Sequence, residues 1–191
     1  MKRAESPGKR FALYRTEVGW GGVVAGDAGL LEVVLPFGLT AANTVSRQIA
    51  DRWPEAREGS KLVESAALQL TAYFAGERMS FDLLIDHTGF TPFQRQVYAL
   101  VSAIPFGAVM TYGEVARELG RPGAARGVGA AMASNPMPVV IPCHRVVGAT
   151  GCLTGYSGPG GLDAKAWLLR LEGVGLDERG RIMEQISISK T

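Results

Sequence analysis

The sequence predicts an α/β N-terminal domain followed by a mainly α-helical C-terminal domain that carries a helix-turn-helix. Three observations lead to this fold class: short β-rich runs near the N-terminus, helical periodicity after them, and two short helical runs joined by a glycine-containing turn. The chain has 191 residues, 47% of them apolar, which is enough to bury the cores of two small domains.

Strand signals come first along the chain. Between Phe11 and Pro36, the runs F-A-L-Y-R, W-G-G-V-V-A and L-L-E-V-V-L-P alternate with glycine and aspartate turn signals. This pattern predicts a meander of three strands. The run F-D-L-L-I-D at 81–86 is a candidate for one further strand.

Helical signals follow the predicted meander. Residues 44–53 are moderately helical, and residues 60–75 place apolar side chains near helical spacing. Ser60 is the predicted N-cap of the second helix, and Gly76 is its predicted stop. The turn-rich run H-T-G-F-T-P then indicates a linker, so we place the domains at 1–88 and 89–191.

The C-terminal half is predicted to consist of helices and loops. Thr91 is a suitable N-cap and Pro92 a suitable first residue for an amphipathic helix. A short helix is then expected after Gly113, followed by an R-P-G turn and a second short helix stopped by Asn135 and Pro136. Two short helices around such a turn form a helix-turn-helix pattern, although an ordinary antiparallel helix pair in a core has the same pattern.

The second of these short helices carries almost no large side chains except Arg126. Glycine inside a helix costs about 1 kcal/mol relative to alanine, so the glycines of this helix call for an explanation. One explanation is that another molecule or structural element approaches the helix backbone closely. A duplex would be such an object, with Arg126 reaching into the base stack. Packing against a neighbouring helix explains the small residues but not the arginine. The small residues are Ala124, Ala125, Gly127, Gly129, Ala130, Ala131 and Ala133.

A thiol and an imidazole stand side by side in P-V-V-I-P-C-H-R-V-V, residues 138–147. A cysteine beside a histidine and an arginine favours the thiolate, which is the nucleophilic form of sulfur, so Cys143 is the candidate nucleophile. The other cysteine, Cys152, is expected to be a free thiol that serves as a small apolar residue. With only His87 and His144 to assist two cysteines, we expect no metal site.

Charge and hydropathy restrict the partners and the location that the protein can have. The formal net charge is only +2, but bases outnumber acids in residues 1–15 and 111–150. A basic patch fits a polyanionic partner, and an ordinary solvated surface is the alternative. No run approaches the length of a membrane span, and no apolar segment follows the N-terminal charges, so we expect a cytoplasmic protein without a membrane partner.

Several motifs between Phe93 and Glu172 occur together: I-P-F-G, T-Y-G-E-V-A, R-P-G-A-A-R-G-V-G, N-P-M-P-V-V-I-P-C-H-R-V-V-G and L-T-G-Y-S-G. In this order they resemble the alkylguanine-DNA alkyltransferase family. The resemblance implies an RNase H-like N-terminal sheet domain with a supporting role. It also implies a C-terminal DNA-binding and alkyl-acceptor domain whose helix-turn-helix is of the winged-helix type.

The resemblance also implies a reaction without a cofactor. The alkyl group of 6-O-alkylguanine, with 4-O-alkylthymine as a further candidate substrate, moves irreversibly to Cys143. His144 takes the thiol proton. Because neighbouring residues on a regular strand point to opposite faces, this transfer requires either a turn in the backbone or a bridging water. Glu172 orients His144, Tyr112 donates to the guanine ring, and Asn135 braces the helix pair against the cysteine loop.

The implied partner is double-stranded DNA with an alkylated guanine that is flipped out of the stack, while Arg126 fills the vacated space. A monomer is expected, with cooperative assembly on DNA left open. The implied DNA-binding residues are Arg126, Tyr112, Thr111, Gly113, Arg121, Ala124, Ala125, Gly129 and Gln94. The implied substrate-pocket residues are Tyr156, Ser157, Val146 and Arg145.

One segment departs from the family pattern. Residues 156–162 read Y-S-G-P-G-G-L, which is two residues longer than the usual Y-S-G-G-L, and Pro159 is predicted to stiffen this loop.

Other functions remain as alternatives. A non-catalytic module that recognises alkylated DNA would not need Cys143, a cysteine hydrolase would leave the smooth helix unexplained, and a transcription factor would not need the thiol.

Overall fold

The computed structural model describes residues 8–183, so residues 1–7 of the basic N-terminal run lie outside the described part. The chain divides into two compact units, Met1–Thr88 and Gly89–Thr191.

The first unit contains a mixed four-stranded sheet in the order β3-β2-β1-β4. The three N-terminal strands pair antiparallel, which confirms the predicted meander. The fourth strand pairs parallel to β1 over two residues and was not predicted. The strands are β1 Arg10–Thr16, β2 Gly19–Gly26, β3 Gly29–Val34 and β4 Arg57–Glu58.

The strand expected at 81–86 was wrong. In this run only Ile85 forms a bridge, to Leu30. The Leu30 amide donates to the Leu84 carbonyl, and the Asp86 amide donates to the Leu30 carbonyl. Ladder pairing does not extend further. Instead, the backbone amide of Asp82 donates to the side chain of Gln69.

Both helices predicted in the first unit are present: α1 is Ala42–Arg52 and α2 is Lys61–Phe74. Ser60 caps α2 as expected, because its hydroxyl accepts a hydrogen bond from the Val63 amide at 3.4 Å. Their apolar faces pack on the sheet. One core cluster joins β2, β3 and α1 through Val24, Val34, Val45 and Ile49.

Between residues 89 and 183, the second unit contains four α-helices and a two-stranded parallel sheet. Thr91 caps the first helix in a reciprocal capping box with Gln94, and Pro92 is its first residue, both as predicted. The helices are α3 Pro92–Ser102, α4 Tyr112–Glu118, α5 Ala125–Ala133 and α6 Gly161–Leu171.

The expectation that this half contains only helix and loop was wrong. Strands β5, Met110–Thr111, and β6, Val146–Val147, pair in parallel and join the start of α4 to the segment after Cys143. Two residues per strand are too few to show an alternating pattern in the sequence.

Helix α4 begins at Tyr112, earlier than the expected start after Gly113. The Thr111 hydroxyl accepts from the Glu114 amide at 3.1 Å, and the Glu114 carboxylate accepts from the Thr111 amide. This capping box fixes the first turn, so Tyr112 is held at the N-terminus of the helix.

One glycine of α5 has an explanation within the unit. A Cβ atom added at Gly127 would lie 3.3 Å from the Phe93 ring, so the helix approaches α3 closely at this point. Part of the smooth surface therefore serves helix packing, whereas Arg126 is exposed.

Within residues 8–183, no helix has the length and apolar character that crossing a bilayer requires.

Candidate active site

Cys143 lies in a turn of 3-10 helix, Cys143–Arg145, and not on a strand. Its side chain is buried, and its amide donates to the Ile141 carbonyl at 2.7 Å. Because the backbone turns here, the premise that Cys143 and His144 point to opposite faces of a strand does not apply.

The segment before the cysteine is held by Asn135. Its side-chain amide donates to the Ile141 carbonyl at 2.9 Å, and its side-chain oxygen accepts from the Met137 amide at 3.0 Å. Between these contacts lies Val139, with φ of 75°, the one non-glycine residue with positive φ in the described part of the chain. A β-branched residue there stores strain of roughly 1–3 kcal/mol, which the surrounding contacts must hold.

His144 is fully buried, and its Nε2 lies 2.8 Å from Oε1 of Glu172. Glu172 also accepts two hydrogen bonds from Arg145, each at 2.8 Å, and the Arg145 Nη1 donates to the Ile104 carbonyl at 2.6 Å. A single carboxylate thus joins the end of α6 to both residues that follow the cysteine.

Burial and pairing fix the charge states of this group. Burial lowers the pKa of His144, and the charges of Arg145 and Lys165 act in the same direction against the raising effect of Glu172. Burial alone would raise the pKa of Glu172, but hydrogen bonds and charge from His144 and Arg145 outweigh it and hold that pKa well below its usual range. The pair is therefore a neutral imidazole that donates to an ionised carboxylate.

The thiol differs from the sequence-based expectation of an arginine-assisted thiolate. Burial raises the pKa of Cys143, and the opposing effects come from the Asn135 side chain and from the charge of Lys165. The neighbouring Arg145 does not assist because its guanidinium is bound to Glu172.

Lys165 was missed by the sequence reasoning. Its side chain is fully buried, and its Nζ donates to the Val146 carbonyl at 2.6 Å and to the Thr154 carbonyl at 3.0 Å. A signal was present, because Lys165 lies three positions before Leu168 and seven before Glu172, on the buried face of α6.

A cavity of about 540 Å³ opens beside α4 and α5. Tyr112 forms part of its wall, and its hydroxyl donates to the Thr154 carbonyl at 3.1 Å. Burial raises the pKa of Tyr112, and the charge of Cys143 adds to this effect. The cavity is lined by Tyr112, Ala125, Arg126, Gly129, Ala133, Thr154, Gly155, Tyr156 and Ser157.

Six of the residues expected to bind DNA or substrate thus line one cavity. Val146 and Arg145 do not line it, because both are buried. The Arg145 guanidinium donates to Glu172, and the Val146 carbonyl accepts from Lys165. The Ser157 hydroxyl donates to the Ala133 carbonyl at 2.9 Å and so ties the loop to the end of α5.

The remaining residues expected at the DNA lie around α4 and α5. Thr111 is occupied as a helix cap, and the Gln94 amide donates to the Ser134 hydroxyl at 3.0 Å. The Arg121 guanidinium stacks 5.5 Å from the centre of the Phe93 ring. Gly113 lies in the first turn of α4, and Ala124 is the residue that precedes α5.

The second thiol, Cys152, is partly buried and accepts a hydrogen bond from the Thr150 hydroxyl at 3.1 Å. Among residues 8–183, no group of histidine, cysteine and acidic side chains is suited to hold a metal ion.

Comparison with known proteins places this arrangement among its relatives. The family described as "6-O-methylguanine DNA methyltransferase, DNA binding domain" matches residues 92–174. A methylated-DNA--protein-cysteine methyltransferase of Methanosarcina acetivorans is 47% identical over 126 residues, which are 66% of this chain and 77% of the relative. A protein of the same name from Salmonella typhimurium is 56% identical over 105 residues, which are 55% of this chain.

The match spans 60% of the length of the Salmonella relative. Among solved structures, the Mycobacterium tuberculosis protein OGT in complex with DNA is similar with a TM-score of 0.69 and 34% sequence identity. That similarity covers 86% of this chain and 93% of the other.

Proposed function

Because the chain belongs to the methylated-DNA--protein-cysteine methyltransferase family, we propose that it repairs DNA by moving an alkyl group from the exocyclic oxygen of guanine to Cys143. The single observation that carries the proposal is the buried Glu172–His144 pair beside a buried cysteine, in the same unit as a cavity lined by Tyr112 and Arg126. The transfer needs no cofactor.

The first step is formation of the thiolate. With its Nε2 proton donated to Glu172, the neutral imidazole of His144 presents Nδ1 as the acceptor of the thiol proton, through a bridging water molecule. The ionised Glu172 then stabilises the imidazolium that forms, while Arg145 keeps the carboxylate in place.

The second step is displacement. The sulfur anion attacks the sp³ carbon of the alkyl group, so an S–C bond forms and the C–O bond to guanine breaks. The departing guanine gains a proton as it leaves. Tyr112, which its raised pKa keeps protonated, would donate a hydrogen bond to the base once its hydroxyl turns from the Thr154 carbonyl, and the proton that guanine gains is balanced by the one that His144 then releases to water.

The thioether does not hydrolyse, so each molecule reacts once. We propose 6-O-alkylguanine as the substrate and 4-O-alkylthymine as a second candidate.

Access to the reacting carbon requires that the nucleotide leave the stack. We propose that α4 and α5 form a helix-turn-helix of the winged-helix type that docks on double-stranded DNA. The exposed Arg126 would fill the vacated space, and Tyr156 would cover the flipped base in the cavity. The first unit, Met1–Thr88, would be an RNase H-like domain that supports this one, in a cytoplasmic monomer whose copies can assemble on DNA.

The test is the intact mass of the protein after incubation with a duplex that contains one methylated guanine. A gain of one methyl group per protein, found on the Cys143 peptide, is the expected result. Cys152→Ala is the matched control and should gain the group equally. Binding without any gain in mass would instead support a non-catalytic recognition module.

A further inference from the structure

Lys165 is a buried cation that takes no part in the proposed transfer steps. Its ammonium group donates to two backbone carbonyls, those of Val146 and Thr154. Within residues 8–183, the acidic side chains in ion pairs are bound to other bases, and Lys165 has no carboxylate partner. Neutral carbonyls compensate only in part for the loss of hydration, so a buried ammonium at this position needs a further reason.

Three titratable side chains interact with this ammonium, and a fourth lies at the end of the same helix. Cys143 lies in the 3-10 turn that packs against α6, and the charges of Cys143 and Lys165 each favour the ionised form of the other. His144, from the same turn, is disfavoured as a cation by Lys165. The Tyr112 ring centre lies 5.8 Å from Nζ, and Glu172, on the same helix, is bound to His144 and Arg145.

The two carbonyls give Lys165 a second connection to the site. Val146 belongs to the strand that follows the acceptor cysteine, and Thr154 lines the cavity. The Thr154 carbonyl also accepts from Tyr112, so one oxygen joins the lysine to the proposed proton donor. The charge is therefore held at a fixed place between the cysteine turn and the cavity wall.

We infer that the Lys165 ammonium is the cationic partner of the Cys143 thiolate, and that its bonds to Val146 and Thr154 hold that charge and the cavity wall in register. Lys165 is in this sense a positioning residue, and its role as such rests on the proposed alkyl transfer. The physical basis is that opposite charges in a dry site stabilise each other far more than they do in water. Burial lowers the pKa of Lys165 to about 8, so the lysine remains a cation at neutral pH.

The first test measures the reactivity of the thiol without DNA. In a Cys152→Ser background, Cys143 is the one remaining thiol of the chain, and its rate of alkylation by iodoacetamide is followed from pH 5 to 10. Lys165→Gln keeps N–H donors without charge, Lys165→Met removes both, and Lys165→Arg keeps the charge.

We expect the profiles of Lys165→Gln and Lys165→Met to move to higher pH by about one unit, with roughly tenfold slower reaction at neutral pH. The limiting rate at high pH should be unchanged, because the thiolate is then fully formed in every variant. Lys165→Arg should remain near the parent. A Lys165→Gln profile that coincides with the parent profile would overturn the inference.

A second measurement needs no lysine variant and holds even if those variants fail to fold. The ¹³Cε signal of Lys165 is titrated by NMR in the parent and in Cys143→Ala, which leaves few other lysines to assign: Lys2, Lys9, Lys61 and Lys190. Lys165 should lose its proton at lower pH in Cys143→Ala, because the anion that favours its charge is gone. Identical titrations would contradict the pairing.

The two proposals fail in different ways. A parent protein that takes no methyl group from DNA, but whose thiol profile still responds to Lys165, refutes the repair function and leaves the ion pair standing. A parent that is methylated by DNA, with a thiol profile that ignores Lys165, refutes only the ion pair.

Discussion

At the scale of single residues, the proposed reaction uses one atom as the acceptor and other residues to control the charge of that atom. In that proposal Cys143 supplies the sulfur, while Asn135 and Lys165 oppose the effect of burial on its pKa. Arg145, which stands closer in the sequence, is bound to Glu172 instead. Adjacency in sequence therefore did not reveal which cation serves the thiol.

Removal of the thiol is the simplest residue-scale prediction. Cys143→Ala should abolish methyl uptake from DNA and leave DNA binding within about twofold of the parent, because the sulfur is needed for the chemistry and not for docking. Labelled methyl transfer and a binding titration measure the two effects separately. Methylation of the variant at another residue would contradict the assignment.

Asn135 offers a prediction that couples stability to reactivity. Asn135→Ala leaves the Ile141 carbonyl and the Met137 amide without their side-chain partner, so we expect a loss of roughly 1–3 kcal/mol in the free energy of unfolding. The pKa of the Cys143 thiol should rise as well, since Asn135 lowers it. Denaturant unfolding and the iodoacetamide profile measure these effects. Gln94→Ala, which also loses a side-chain bond to α5, is the control and should leave the thiol unchanged.

At the scale of secondary-structure elements, α4 and α5 present the cavity and Arg126 together. Arg126→Ala should slow transfer from duplex DNA about tenfold or more, yet leave the reaction with a free alkylguanine base nearly unchanged, since only the duplex requires flipping. Single-turnover rates on both substrates measure the difference. Arg117→Ala, also an exposed arginine on this helix pair, is the matched control. Equal losses on the two substrates would exclude a flipping role for Arg126.

Sequence patterns predicted the longer elements because their signals repeat. Helices α2 and α3 each carry a cap and several turns of apolar spacing, and the meander repeats a β-rich run followed by a turn signal. Strands β4, β5 and β6 have two residues each, so they carry no periodic signal, and only tertiary pairing defines them. The contacts within the candidate site are also tertiary, so they carry no periodic signal in the sequence either.

The motif order brought Tyr112, His144 and Glu172 into the prediction, and the structure places His144 in contact with Glu172. The order of the motifs could not show that the Arg145 guanidinium binds Glu172. Lys165 was overlooked because one charged residue on an apolar helix face reads as a solvated side chain until its burial is known.

At the scale of the whole molecule, buried ionisable groups make stability depend on pH. His144 stays neutral when folded but takes a proton when unfolded below its ordinary pKa of 6.5. Glu172 stays ionised when folded but takes a proton when unfolded below its ordinary pKa of 4.5. The unfolded state thus binds more protons in acid, and stability is lost as the pH falls, first below 6.5 and more steeply below 4.5.

Glu172→Gln tests this linkage. The variant should lose about 3–5 kcal/mol at neutral pH, because Arg145 is left buried without its carboxylate. Its stability should also decline less steeply than that of the parent between pH 5 and 3. Urea unfolding at a series of pH values gives both results. Parallel curves for variant and parent in that interval would contradict the assigned charge states.

The burial of Cys143 also has a consequence for the product of the proposed transfer. Only 6% of this residue is exposed, so each added carbon must find volume among close-packed neighbours, and overpacking of this kind costs roughly 1–3 kcal/mol. The thioether is also uncharged, so Lys165 loses its anion in the same event. Alkylated and unreacted copies should therefore differ in melting temperature and in protease sensitivity.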